Sequence, residues 1–265
     1  MRYRPGHLSA VTFVTLLAAA WLSGCSTNSS PSDLEPGEVF GYVLNAITAD
    51  PIDGAAVSVD GVPTTSDSLG YYAVDNVDAG VVSVVASATG YVALTTAVAV
   101  PEGELVRRDC VLVPSTTGDE YRFVLAWGAD PEDLDSYVWV PLGGGLYHQV
   151  YFGDTGSITE EPYAQLDNDE TSGYGPETVT VLPEHSDLYT YAVHHFGGDG
   201  TLRTSEAILR IYQGNDLRHT VLVPDQYCED DWWWYVCAFD AESGQFTIVN
   251  TLQDSPPLSV VRLAK

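Results

Sequence analysis

Residues 79–101 read AGVVSVVASATGYVALTTAVAVP and carry no charge. A run this long could cross a bilayer as a helix, which takes about 20 apolar residues. Its chemistry argues for a sheet instead. Val and Thr are stiff at χ1 and suit a pleated surface, and Thr89-Gly90-Tyr91 puts a turn in the middle. The stretch is therefore read as two buried strands joined by a turn. Working outward, Val-rich segments at 39–43, 56–59, 71–74, 91–100 and 105–113 alternate with Gly, Pro, Asp and Asn turns. Many short strands at even spacing, with no helical period, predict a β-sandwich over 38–114.

Particular residues sharpen this. Gly41-Tyr42-Val43, Pro51 to Val57, Thr64 to Asp67 leading to Gly70-Tyr71-Tyr72, Val77 to Gly80, and Ala88 to Tyr91 resemble the pattern of carboxypeptidase-regulatory-like domains. The resemblance implies a seven-stranded, prealbumin-like sandwich that serves as a spacer or scaffold and brings no catalytic residues.

Ser115 to Asp119 (STTGD) reads as a short linker into a second domain over 120–250, followed by a tail, 251–265. Tyr121, Phe123, Leu125 and Trp127 alternate with small or polar residues, as in a half-buried strand. Further strands are predicted near 134–140, 146–152, 178–182, 188–196, 207–212, 218–223, 232–239 and 245–249, a second antiparallel sandwich. The fold class expected is all-β, two sandwiches in tandem. Trp127, Asp133-Leu134-Asp135, Leu166 to Asp169, Gly173-Tyr174-Gly175-Pro176-Glu177, Tyr189 to Val193 and Trp234 to Asp240 resemble the YfaP-like family, β-sandwich domains of exported bacterial proteins.

The N-terminus supplies an address. Arg2 and Arg4 precede an apolar run from Val11 to Leu22, and residues 1–24 contain no acid; this is the pattern of a secretory signal. Leu22-Ser23-Gly24-Cys25 resembles the bacterial lipobox, which implies cleavage before Cys25 and acylation of its thiol. Two or more acyl chains anchor stably where one does not. Residues 25–37 then have the Ser, Pro and Asn content of a tether. Ser26 after the cysteine implies, by the same resemblance, the outer membrane.

Charge narrows the partners. The chain has 10 Lys plus Arg against 37 Asp plus Glu; without Arg2 and Arg4 the mature part has 8 against 37, a net charge of −29. Such a field repels nucleic acid and attracts cations. A membrane reached through a lipid, and an envelope protein or glycan, are the partners expected.

No G-x-S-x-G elbow and no H-E-x-x-H spacing occur in the sequence, so neither hydrolase nor zincin chemistry is announced. His194 and His195 are adjacent on a predicted strand and point to opposite faces. A non-catalytic module is expected. Three features remain as candidate sites. Cys228 and Cys237 could pair as a disulfide in an oxidising compartment, leaving Cys110 as a small buried hydrophobe. Of Trp232-Trp233-Trp234, Trp234 fits a core position, and Trp232 or Trp233 could stack on a sugar ring, the basis of a carbohydrate- or peptidoglycan-binding alternative. Two acidic clusters, D-P-E-D-L-D and D-N-D-E, coincide with the most distinctive elements of the second domain. They predict a calcium site from Asp133 and Asp135 on one side and Asp167, Asp169 and Glu177 on the other. The simpler reading is that these are solvated turn aspartates.

Overall fold

The computed structural model describes residues 34–228 and 231–258. The lipobox Cys25, the signal segment and most of the tether lie outside the described residues. No helix among those described is long and apolar enough to cross a membrane.

The first sandwich contains β1 (Gly37–Asn45), β2 (Ala56–Val59), β3 (Val62–Thr65), β4 (Tyr71–Val77), β5 (Gly80–Ser87), β6 (Leu94–Val100), β7 (Leu105–Arg107) and β8 (Cys110–Leu112). Residues 79–101 become β5 and β6, an antiparallel pair in which Val84 faces Thr96. Along β5 the alternation is strict: Val82, Val84 and Ala86 are buried while Val81, Ser83 and Val85 are not. One sheet runs β3-β2-β5-β6, and the other joins β4, β1, β7 and β8. Their inward faces share a core of Val39, Val43, Val57, Tyr72, Val84, Leu94, Val98 and Leu112.

The span 105–113, expected as one strand, is broken at Arg108-Asp109. β7 runs parallel to Glu38–Phe40 of β1, β8 runs parallel to Val43–Asn45, and the chain bends between them beside Gly41. A Cβ on Gly41 would lie 2.1 Å from the Arg108 carbonyl oxygen, so only glycine admits this bend. Asp109 then replaces the lost ladder bonds, its Oδ1 accepting the Tyr42 N–H at 2.9 Å, while the Tyr72 hydroxyl donates to the Arg108 carbonyl.

The second sandwich contains β9 (Tyr121–Ala126), β10 (Asp133–Gly143), β11 (Leu146–Val150), β12 (Gly156–Ser157), β13 (Ala164–Asn168), β14 (Glu177–Val181), β15 (Leu188–Gly197), β16 (Ile208–Gln213), β17 (Asp216–Leu222), β18 (Trp233–Asp240) and β19 (Gln245–Gln253). A five-stranded sheet, β11-β10-β15-β18-β19, faces a six-stranded one, β12-β13-β14-β9-β16-β17. Aromatic side chains fill the space between them: Phe123 stacks on Tyr191 at 4.9 Å and Tyr189 on Phe239 at 4.8 Å. Trp234 is in the same core, its indole N–H satisfied by Asn250 Oδ1 at 2.8 Å.

The structure does not pair the cysteines as the sequence suggests. The structure contains no Cys228–Cys237 bond: Cys237 is a free thiol on the inward face of β18, within the apolar core. Burial pushes its pKa up, which makes the thiolate needed for exchange costly to form. Cys228 packs on the margin of that core. Cys110 is buried as expected, and burial raises its pKa to about 11.

A small apolar cluster joins the sandwiches. Ala46, Val111 and Val113 of the first meet Val124 and Tyr212 of the second. The connecting segment is pinned as well, with Thr116 and Asn215 exchanging two hydrogen bonds of 2.8 Å and Arg122 Nη1 donating to the Pro114 carbonyl at 2.7 Å.

Candidate metal centre

β10 is an edge strand over part of its length. Its last pair with β11 is Val138 with Val150, so the backbone of residues 133–137 lacks a neighbour on that side. Glu177, the first residue of β14 in the facing sheet, fills the position. Its Oε2 accepts the Ser136 N–H at 2.6 Å, while Ser136 Oγ contacts the Tyr191 hydroxyl at 2.8 Å. Glu177 is 0% exposed, and its other oxygen, Oε1, is buried with no hydrogen-bond partner.

Asp135 stands next to it on β10, 2% exposed, with Oδ2 also lacking a hydrogen bond. The nearest cationic candidate is His194, its cross-strand neighbour, whose Nδ1 lies 3.6 Å from Oδ2. That is beyond hydrogen-bond range. Asp169, on the loop after β13, completes a trio: Asp135, Asp169 and Glu177 each offer a carboxylate oxygen within 4.8 Å of the others. Asp169 is the solvent-exposed member, so the centre opens outward on its side.

Two loops are tied together to make this approach. Gly173 N–H donates to the Glu132 carbonyl at 2.7 Å, and Tyr174 N–H to the Gly128 carbonyl at 2.8 Å. Asn168 Nδ2 reaches across to the Pro176 carbonyl at 2.7 Å. At Gly175 the backbone has φ +74, and a Cβ there would sit 2.9 Å from the Trp127 ring. The D-L-D and G-Y-G-P-E elements thus do one job together: they carry Asp135 and Glu177 to one point and brace the loop holding Asp169.

Electrostatics fit a cluster of acids that His194 offsets only in part. Burial, then Asp135 and Asp169, raise Asp133 to about 6. Burial likewise raises Asp135, against the pull of His194, and holds Glu177 well above the ordinary glutamate range in spite of its Ser136 hydrogen bond. Desolvated like charges take up protons unless a cation replaces them.

Of the five acids expected to bind metal, Asp135, Asp169 and Glu177 come together. Asp133 is beside them, its Oδ1 buried and unpartnered, but it is not one of the close trio. Asp167 turns the other way: it accepts the Thr180 hydroxyl at 2.6 Å and feels Arg122 rather than the cluster. Alternation alone would keep Asp167 and Asp169 on one side; the register shift between Leu166 and Asn168 and the end of β13 at Asn168 separate them, leaving Asp169 on the loop. Sequence reasoning passed over Ser136 and set His194 aside; the place of His194 opposite Asp135 follows from the register of β10 with β15.

The tryptophan run divides three ways. Trp234 is in the core. Trp233, 9% exposed, is packed on the outer face of the five-stranded sheet between Tyr137 at 4.8 Å and His194 at 4.4 Å. Trp232 is 48% exposed and leans on His195 at 5.5 Å.

Residues 38–113 match the carboxypeptidase regulatory-like domain family. Among solved structures, a candidate carbohydrate binding protein from Bacteroides uniformis is 11% identical, with 71% of this chain and 99% of that one covered and a TM-score of 0.25. The Bacillus anthracis TIE protein is 14% identical over 68% of this chain and 31% of that one, with a TM-score of 0.28. A streptococcal ancillary pilin is 16% identical over 60% of this chain and 53% of that one, with a TM-score of 0.27. At such scores none superposes on the chain as a whole.

Proposed function

We propose that this chain is a lipid-anchored, non-catalytic module of the bacterial envelope, in which a regulatory-like sandwich carries a YfaP-like sandwich that binds calcium at Asp135, Asp169 and Glu177. The observation behind the cation is the pair of buried carboxylate oxygens, Glu177 Oε1 and Asp135 Oδ2, that no donor satisfies. A buried carboxylate without a partner costs several kcal/mol, and proteins resolve that cost by protonation or by a metal. The donors are all carboxylate oxygens, a hard set that suits calcium, which accepts six to eight oxygens at flexible geometry. The open side at Asp169 leaves room for water to complete the shell.

Thermal unfolding of the unlipidated mature chain, in millimolar calcium and in excess chelator at matched ionic strength, tests the site. A melting temperature higher in calcium is expected, with the difference absent in Asp135→Ala and Asp169→Ala but kept in Asp225→Ala. Identical curves for the unaltered chain would remove the calcium reading. The anchor is tested separately: Cys25→Ala should move the protein from the membrane to the soluble fraction. Ser26 supports placement in the outer membrane.

A second reading, glycan binding, is favoured by one observation, the half-exposed indole of Trp232 resting on His195. Trp232→Ala should then weaken retention on envelope glycan without changing the melting temperature. Unchanged retention would leave the indole a covering residue.

A further inference from the structure

In a chain with 37 acidic and 10 basic residues, arginines have carboxylates to choose from. Arg107 takes Asp109, with Nη2 to Oδ2 at 2.7 Å, and its guanidinium lies 3.4 Å above the Tyr174 ring. Arg122 pairs with Glu120 at 2.7 Å. Exposed Arg218 aside, Arg108 and Arg210 do not follow this pattern: among the described residues neither is within ion-pair range of any carboxylate.

Both line one cleft of about 610 Å³ where the two sandwiches meet, a size in the range of small-ligand sites. Arg210 comes from β16 in the second sandwich and is 6% exposed, with the Thr96 hydroxyl at 3.0 Å as a neutral partner. Arg108 comes from the bend between β7 and β8 in the first, and its Nε is buried with no hydrogen-bond partner. The bend is held from both sides, since the Arg108 N–H donates to the Phe40 carbonyl at 2.7 Å and its carbonyl accepts from Tyr72.

Two guanidiniums from different sandwiches thus converge without a counter-charge. Burial, and the nearness of Arg108, lower the Arg210 pKa. The carboxylates on the cleft walls do not answer the need: Asp109 is committed to Arg107, and Glu104, Asp130 and Glu206 reach neither arginine. Trp127 and Tyr174 supply an apolar flank.

We infer that this cleft binds an anionic oxygen group, a carboxylate or a phosphate borne by a small ligand, through Arg108 and Arg210. Guanidinium forks match the planar or tetrahedral oxygen pairs of such groups, and the bonds are charge-assisted. Neither arginine belongs to the cation centre, although Trp127 and Tyr174, which flank the cleft, also brace the loop that holds Asp169.

The test uses the unlipidated mature chain in chelator, so that calcium plays no part. Thermal unfolding is followed on titration with inorganic phosphate and, separately, with glucuronate, each against sodium chloride at equal ionic strength. A saturable rise in melting temperature beyond the chloride control is expected with at least one of them. Phosphate alone would assign the site to a phosphoryl group, glucuronate alone to an acidic sugar. R108Q should raise the half-saturating concentration by about 10-fold or more, the factor of one lost charge-assisted pair. R108K, which keeps the charge but loses the fork, serves if R108Q does not fold and should also weaken binding. No shift with either anion beyond chloride, or an undiminished shift in the folded Arg108 variant, would overturn the inference.

Discussion

Glu177 shows how one side chain can be required by the fold and still be expensive to it. One oxygen closes the edge of β10 at Ser136, and the other is left dry beside Asp135. Glu177→Gln keeps an acceptor for the Ser136 N–H while removing the buried charge. In chelator it should stabilise the fold by on the order of 1 kcal/mol, measured by urea unfolding, because an uncompensated buried charge is removed. It should also lose the calcium-dependent shift, and lower stability in both conditions would show that the charge is neutralised inside the protein. The raised carboxyls fix the direction of the pH dependence. A carboxyl whose folded pKa exceeds its unfolded one binds more protons when folded, so its stabilising effect is present at low pH and lost as pH rises through the folded value. For Asp133 the window runs from 3.8 to about 6. Metal-free protein should therefore lose stability across that window, and calcium should restore it above pH 6 and fail to do so below. Unfolding at pH 4.5 and pH 7 with and without calcium reads both effects. The acids were legible as clusters in the sequence because Asp-rich motifs stand out. Which of them converge was not, since that depends on a β13 register shift and on where β11 stops pairing with β10.

Single glycines set the course of whole strands at the element scale. Gly41 lets β1 accept two parallel partners with a bend between them, and the bend is what carries Arg108 out of the ladder toward the cleft. Gly41→Ala would force a Cβ to 2.1 Å from the Arg108 carbonyl oxygen, a backbone contact that cannot swing aside. Overpacking of this kind costs about 1–3 kcal/mol or more, so the urea midpoint should fall markedly. An unchanged midpoint would mean that β7 and β8 can shift freely. The strands themselves were largely readable, because period-2 burial leaves a clear trace in segments such as Val81 to Ala86. Three escaped: β3 has four residues and is mostly exposed, β12 has two, and β13 alternates only from Ala164 to Asp167 before running into the acidic cluster. The 105–113 segment was read as continuous because Arg108-Asp109 looks like any polar pair; its bend depends on a glycine 67 residues earlier.

The two sandwiches are docked rather than strung on a free linker. Ala46, Val111 and Val113 close against Val124 and Tyr212, and Thr116 with Asn215 fixes the connecting chain. None of this could be read from STTGD, which has the composition of a plain spacer, because Asn215, which holds Thr116, lies 99 residues along the chain. A net charge of −27 on the chain works against compactness through self-repulsion, and a shared apolar seam offsets it only while the seam stays dry. Val124 tests this. It lies on β9 facing the first sandwich, 1% exposed, and the core of the second sandwich lies on the opposite face of the strand. Val124→Asp would bury a carboxylate in the seam with no partner, at a cost of several kcal/mol. Undocking hydrates the carboxylate and leaves both cores intact, so separation is the cheaper response. The chain should unfold in one calorimetric transition. In Val124→Asp it should show two, one for each sandwich, while Glu177→Gln, remote from the seam, should keep one. A single transition in Val124→Asp at an only slightly lower temperature would mean that the hydrogen bonds of the connecting segment and the Arg210–Thr96 contact hold the sandwiches together without the apolar seam.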